Sequence, residues 1–297
     1  MADGFRFWRK ARAATALCVT LLASAAVTAT AMAETARERI LREGRIVIGI
    51  SNGAPWGFRD KSGEPAGFHP DLIKAAFESL GVREVELVIT EFGALIPALT
   101  TGRFDAIAAG LYITPERCEL VAFSDPDLKL ADAALVLEGN PKRIHSYAEI
   151  AANPEIKFGA GRGSTTAKNA AAAGVPDERT LLFPDIQANV SALLTGRIDV
   201  AAFSAPTVAR ILSDEKISGI ERALPFQGLI EENGKERFGY SAIAFRKEDG
   251  DLRDLYNSRL KELKADGTVA NIMTRNGFSE QETAPDLTYE QVCDGEG

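Results

Sequence analysis

Gly110-Leu111-Tyr112-Ile113-Thr114-Pro115-Glu116-Arg117-Cys118-Glu119-Leu120-Val121-Ala122-Phe123-Ser124-Asp125-Pro126 carries the densest set of structural signals in the chain. A buried strand, Phe104 to Ala109, runs into it and stops at Gly110. Pro115 suits the first turn of a helix, because its fixed φ is already helical and its missing N–H would have no acceptor there. The other N–H groups of that turn are unpaired and favour an anion. Arg117 adds a cation whose planar fork can take a carboxylate through two hydrogen bonds. Taken alone, Arg117 could equally form a surface pair with Glu116 or Glu119.

Working outward, Arg45 to Ile50 reads as a strand of β-branched residues, followed by a loop rich in Gly and Pro from Ser51 to Gly67. Pro70 to Leu80 has helical spacing, with Leu72, Ala75, Ala76 and Leu80 on one face and Gly81 at the stop. Val85 to Ile89 is a second strand, and Leu95 to Thr101 a short helix ending at Gly102. Alternating strands and helices predict parallel sheets in α/β units. The pattern then recurs. Ala98-Leu99-Thr100-Thr101-Gly102-Arg103-Phe104-Asp105 is echoed by Ala192-Leu193-Leu194-Thr195-Gly196-Arg197-Ile198-Asp199, with Ala108 and Ala202 at the same offset. That spacing is too long for a solenoid and suits two lobes of similar topology. Leu135 to Pro141 and Tyr240 to Phe245 read as two extended crossings that form a paired hinge. The expected division is 34–137 plus 240–297 for lobe 1 and 138–239 for lobe 2. Leu252 to Ala265 and Thr268 to Met273 are late helices, and the polar stretch from Ser279 wraps the surface with Cys293 as a tether.

Residues 1–33 have the layout of a secretory signal peptide: Arg6, Arg9, Lys10 and Arg12, an apolar run from Ala13 to Val27, then Ala31-Met32-Ala33. Cleavage after Ala33 and a periplasmic location are expected. No second apolar run reaches the ~20 residues of a spanning helix. The 297 residues carry a net charge of −8, which argues against nucleic-acid or anionic-membrane partners. Of three cysteines, Cys18 falls in the apolar run. Cys118 and Cys293 form a disulfide or remain thiols; an oxidising compartment favours the bond. His69 and His145 are the only histidines and no Cys-x-x-Cys occurs, so neither metal nor cofactor is expected. A monomer is expected.

The opening segment resembles the Thr-Pro-Glu-Arg…Phe-Ser-x-Pro signature of type II periplasmic solute-binding proteins, the polar amino-acid uptake family. Gly67-Phe68-His69-Pro70-Asp71-Leu72, Ile96-Pro97-Ala98-Leu99 and Gly102-Arg103-x-Asp105 agree in order. The resemblance implies a two-lobed α/β fold, each lobe a mostly parallel sheet flanked by helices, joined by a two-strand hinge. It also implies an ABC-importer receptor that binds a small solute in the cleft and serves a membrane permease. The family's carboxylate-binding arginine falls on Arg117. The loop Gly159 to Thr166 falls where the family closes over its ligand, making Gly163 and Thr165 candidates, although helix capping alone would also explain that loop.

Two departures bear on the ligand. Typical relatives carry an ammonium-binding Asp after the second-lobe strand; here Ser204-Ala205-Pro206 follows instead. Trp56, Phe92 and Tyr112 lie where first-lobe loops leave the sheet, and three rings around one cavity can hold a delocalised or alkylated cation. Each ring could also be plain packing. Within the family the arrangement is most similar to ectoine/hydroxyectoine-binding proteins, which share Glu-(aromatic)-Gly-Ala-x-Ile-Pro and Gly-Leu-(aromatic)-x-x-Pro-Glu-Arg-Cys. Gly53 stands where those proteins carry an acidic residue. The expectation is a non-enzymatic receptor for an ectoine-like or other cyclic or alkylated zwitterion. The alternatives are an ordinary polar amino-acid receptor, a cyclohexadienyl dehydratase on the same fold with Glu91 as its acid, or a detached sensor domain.

Overall fold

A computed structural model describes residues 34–295, so the expected signal peptide lies outside the described residues. The strands are β1 (Arg45–Ile50), β2 (Phe58–Arg59), β3 (Pro65–Ala66), β4 (Glu84–Ile89), β5 (Ala106–Tyr112), β6 (Ala122–Phe123), β7 (Leu128–Leu130), β8 (Asp132–Leu137), β9 (Phe158–Gly161), β10 (Thr180–Phe183), β11 (Val200–Ser204), β12 (Ile220–Arg222) and β13 (Gly239–Phe245). They build two main sheets, ordered β4-β1-β5-β13-β6 and β10-β9-β11-β8-β12, with β7 paired to β13. β1 runs parallel to β4 and β5, and β9 parallel to β10 and β11. The result is the two-lobed α/β fold with helices on both faces of each sheet.

The strand read at Arg45 to Ile50 is β1, and both of its faces are covered. Ile46, Ile48 and Ile50 are fully buried under the helices Phe68–Glu78, Gly250–Ala265 and Thr268–Arg275, while Val47 faces the opposite core with Leu95 and Leu99. The second sheet is sandwiched likewise, with Tyr147, Ile150 and Ala170 on one side and Val190, Leu193, Val208 and Ile211 on the other.

The repeated segment has a physical reason. In each copy a helix ends, a glycine takes a left-handed turn (φ 74° at Gly102, 67° at Gly196), and an Asp fastens the new strand to its neighbour. The Asp105 carboxylate accepts the Val47 N–H at 3.0 Å, and the Asp199 carboxylate accepts the Lys157 N–H at 2.8 Å. The backbone N–H of each Asp donates back to the carbonyl of that same residue, Val47 or Lys157. Each lobe therefore carries the same staple at its sheet centre.

One boundary differs from expectation. The expected division ends the first segment of lobe 1 at residue 137 and makes Leu135 to Pro141 a hinge crossing, but β8 (Asp132–Leu137) pairs antiparallel with β11 and β12 in the second sheet. It is buried from Asp132 to Val136, so its sequence lacks the alternation that would tie it to one face. The chain leaves the first sheet after Leu130 and rejoins it at Gly239, Leu130's partner in the β7–β13 ladder. β5 also runs on through Gly110 to Tyr112, because β13 keeps pairing with it as far as Ser241↔Tyr112.

Cys118 and Cys293 are joined in a disulfide with Cα atoms 6.1 Å apart, holding the terminal helix Tyr289–Cys293 against the turn Pro115–Cys118. Among the described residues no helix is long and apolar enough to cross a membrane, and no cluster of His, Cys, Asp and Glu could hold a metal ion.

Candidate functional site

A cavity of about 130 Å³ lies between the lobes, beyond the C-terminal ends of β1, β5, β9 and β11. Open parallel sheets place ligands at that end. The first lobe contributes the loop from Ser51 to Trp56, Phe92, the end of β5 and Arg117. The second contributes Gly161, Ser164 to Thr166, Pro184 to Gln187, the end of β11 and Thr207.

Arg117 sits in the single turn that Pro115 opens and Thr114 caps. It is only 7% exposed. Nη1 donates to the Tyr112 carbonyl at 2.7 Å, and Nη2 donates across the cleft to the Gly163 carbonyl at 2.8 Å. The guanidinium lies 5.8 Å from the Phe92 ring centre. The surface pairing with Glu116 does not form; Glu116 faces Lys168 of the other lobe at 3.4 Å. No carboxylate of the described residues lies within ion-pair distance of Arg117. Burial pulls its pKa down to about 10, against the attraction of Glu116 and Tyr112. It therefore stays charged at neutral pH, buried, with only neutral acceptors. Such a cation gains from an incoming carboxylate.

The three rings singled out from sequence all line this cavity. Trp56 is packed from behind by Phe278, His69 and Phe68, at ring-centre distances of 5.2, 5.6 and 6.5 Å. Its face covers Gly110, where a Cβ would come within 2.4 Å of the indole, so only glycine admits the ring. Its N–H donates to Thr207 Oγ1 at 3.0 Å across the cleft, and Thr207 shares a hydrogen bond of 2.8 Å with Ser204. Packing and cavity wall are thus one role for Trp56. His69 holds the strand end beneath it: Nδ1 accepts the Gly110 N–H at 3.0 Å, and Nε2 lies 3.1 Å from Asp127. Tyr112 is buried, which pushes its pKa up; its hydroxyl points toward Ser204 without a well-formed hydrogen bond. Phe92 is half-buried at the rim.

The glycine-rich loop divides its roles. Thr165, the first residue of the helix Thr165–Ala172, lines the cavity, while Ser164 caps that helix by accepting the Ala167 N–H at 3.2 Å. Gly163 is not a lining residue. Its carbonyl takes the Arg117 hydrogen bond and its Cα lies against Gly93, making it a contact between lobes. A second bridge joins Arg162 to Glu91 at 2.6 Å, and Glu91 is not a lining residue either.

Among the lining residues that escaped the sequence reading are Phe203, Thr207 and Asp185, the last with its neighbours Pro184, Ile186 and Gln187. Asp185 caps the helix Ile186–Leu194, accepting the Ala188 N–H at 2.7 Å. A signal for it existed, since counting back along the repeat puts Asp185 at the position of Glu91.

Comparison with known proteins agrees with this architecture. The family model for bacterial extracellular solute-binding proteins, family 3, matches residues 46–278. A probable amino-acid ABC transporter periplasmic-binding protein of Sinorhizobium fredii is 35% identical over 260 residues, 86% of this chain and 85% of that protein. The structure of EhuB in complex with hydroxyectoine superposes with a TM-score of 0.80 at 37% identity, covering 88% of this chain and 98% of that one. The ancestral amino acid-binding protein AncCDT-1, a precursor of cyclohexadienyl dehydratase, superposes at 0.69 with 28% identity, covering 81% and 98%. With its two stapled sheets and the cavity between them, the chain belongs to the bacterial extracellular solute-binding proteins, family 3.

Proposed function

We propose that this protein is the receptor of an ABC importer and delivers a small zwitterion, ectoine-like or another cyclic or alkylated amino-acid derivative, to a membrane permease. The observation that carries the reading is the buried Arg117, charged and without a carboxylate partner, in a cavity walled by aromatic rings. The guanidinium suits the ligand's carboxylate. Trp56, Phe92 and Tyr112, with Phe203 from the second lobe, suit its cationic part at roughly 0.5–2 kcal/mol per ring. Ser204 stands where typical relatives place an ammonium-binding Asp, and its hydroxyl is spent on Thr207. That weakens the case for ordinary α-amino acids. The similarity to the hydroxyectoine complex supports the same class. The small cavity favours a ligand well below drug size.

Trp56 supplies the test, because the only other tryptophan is Trp8. Ectoine, hydroxyectoine, glycine betaine and proline betaine should bind in calorimetry and change Trp56 fluorescence. Tighter binding of glutamate or histidine, with fluorescence unmoved, would make the protein an ordinary amino-acid receptor.

A further inference from the structure

We infer that Asp185, reaching in from the second lobe, selects the cationic end of the ligand. The inference rests on the zwitterion reading above and assigns the group that completes it. Among the described residues lining the cavity, Arg117 is the one cation and Asp185 the one carboxylate. They come from opposite lobes, so a ligand carrying both charges would be held by each lobe at one end. A ligand with only one charge would leave one of the two partners unused.

The local packing explains why the acid sits here and not in the first loop. A Cβ at Gly53 would lie 3.1 Å from Ile186 Cδ1, tighter than ordinary contact. A longer acidic side chain at 53 would need Ile186 Cδ1 to give way by a few tenths of an ångström. The chain instead has no side chain at 53 and a carboxylate at the residue just before Ile186.

Asp185 also has capacity to spare. Oδ1 accepts the Ala188 N–H, and Oδ2 has no hydrogen bond or ion pair among the described residues. One oxygen caps the helix and the other is left for the ligand. A ring N–H or ammonium group would give it a charge-assisted hydrogen bond. Helix capping alone would not need the charge, because Asn and Ser cap about as well as Asp.

That difference defines the experiment. Asp185→Asn and Asp185→Ser keep a capping oxygen and remove the charge. Both should melt within about 2 °C of the wild type and weaken ectoine and hydroxyectoine binding by about tenfold or more in calorimetry. Proline and pyroglutamate, matched rings with and without a charged nitrogen, provide the control. The wild type should prefer proline, and the variants should lose that preference. If the wild type binds the zwitterions and both variants match it within twofold, the role of Asp185 is overturned while the zwitterion reading stands. If the wild type binds none of the zwitterions, that reading falls and the inference falls with it.

Discussion

Replacing Arg117 by Met separates what the guanidinium does for the fold from what it does for the ligand. Met keeps an unbranched apolar stem and removes the charge and the hydrogen-bond donors. Burial, partly offset by Glu116 and Tyr112, lowers the Arg117 pKa from 12.5 to about 10, a net cost to the charged form of roughly 3 kcal/mol at 1.36 kcal/mol per unit. Two hydrogen bonds to the Tyr112 and Gly163 carbonyls offset it, each contributing about 1.5–3 kcal/mol. The bonds match that cost or exceed it by up to about 3 kcal/mol, so the unliganded variant should lose no more than about 10 °C in melting point. Binding has no such offset. Truncating one member of a buried charge pair costs about 2–5 kcal/mol, and 3 kcal/mol is about 150-fold in Kd. Calorimetry with ectoine and hydroxyectoine, beside thermal melts of the unliganded protein, reads both quantities. A Kd within twofold of the wild type would refute the anchor. A melting point lower by about 15 °C would show that Arg117 is a strut of the fold.

Gly163→Ala puts a Cβ 2.9 Å from Gly93 Cα at a φ of 76°, so the lobes should meet less closely; binding should weaken about tenfold and the melting point fall by a few degrees, and equal affinity would contradict this. Cys118→Ser with Cys293→Ser opens a loop spanning 175 residues, worth about 4–5 kcal/mol in the chain-entropy model, so the melting point should fall by roughly 10 °C or more; an unchanged melt would show that the bond adds nothing. Asp132 is buried and its pKa is raised by that burial, while Tyr147 Oη and Asn169 Nδ2 each donate to it at 2.8 Å. The native state then binds the extra proton: the stability is complete below the unfolded value near 3.8 and is lost as pH rises through the higher native value. Asp132→Asn can accept both hydrogen bonds without titrating, so its stability relative to wild type in urea melts should grow from pH 4 to 7; a constant difference would rule this out.

Much of the first lobe was legible because its signals are local. The helices Phe68–Glu78 and Gly250–Ala265 carry the spacing read for them, and the two Thr-Gly-Arg segments marked matching turns before Asp105 and Asp199 matched as staples. The fold was legible for the same reason, since alternating strand and helix leave few topologies. What stayed hidden depends on contacts distant in sequence. β8 is apolar throughout, and only its pairing to β11 assigns it to the second sheet. Gly163 looked like a ligand loop because glycines admit any close neighbour, and the neighbour proved to be Gly93. Asp185 carried no reading from sequence: it caps a helix, and its place in the cavity comes from the approach of its segment to the first-lobe loop, where Ile186 lies against Gly53.

The pairing of Leu130 with Gly239 makes the second lobe a cassette. Partners in an antiparallel ladder lie about 5 Å apart at Cα, so the stretch between them starts and ends at nearly one point. It can be lifted out and another spliced in without rerouting the rest of the chain. Arg117, Trp56, Phe92 and Tyr112 would stay with the recipient, and Asp185, Phe203 and Ser204 would leave with the insert. A chimera taking this stretch from another member of the family would keep one half of the cavity and exchange the other. Ligand preference for the two ends of the solute could then be inherited separately, one splice at a time.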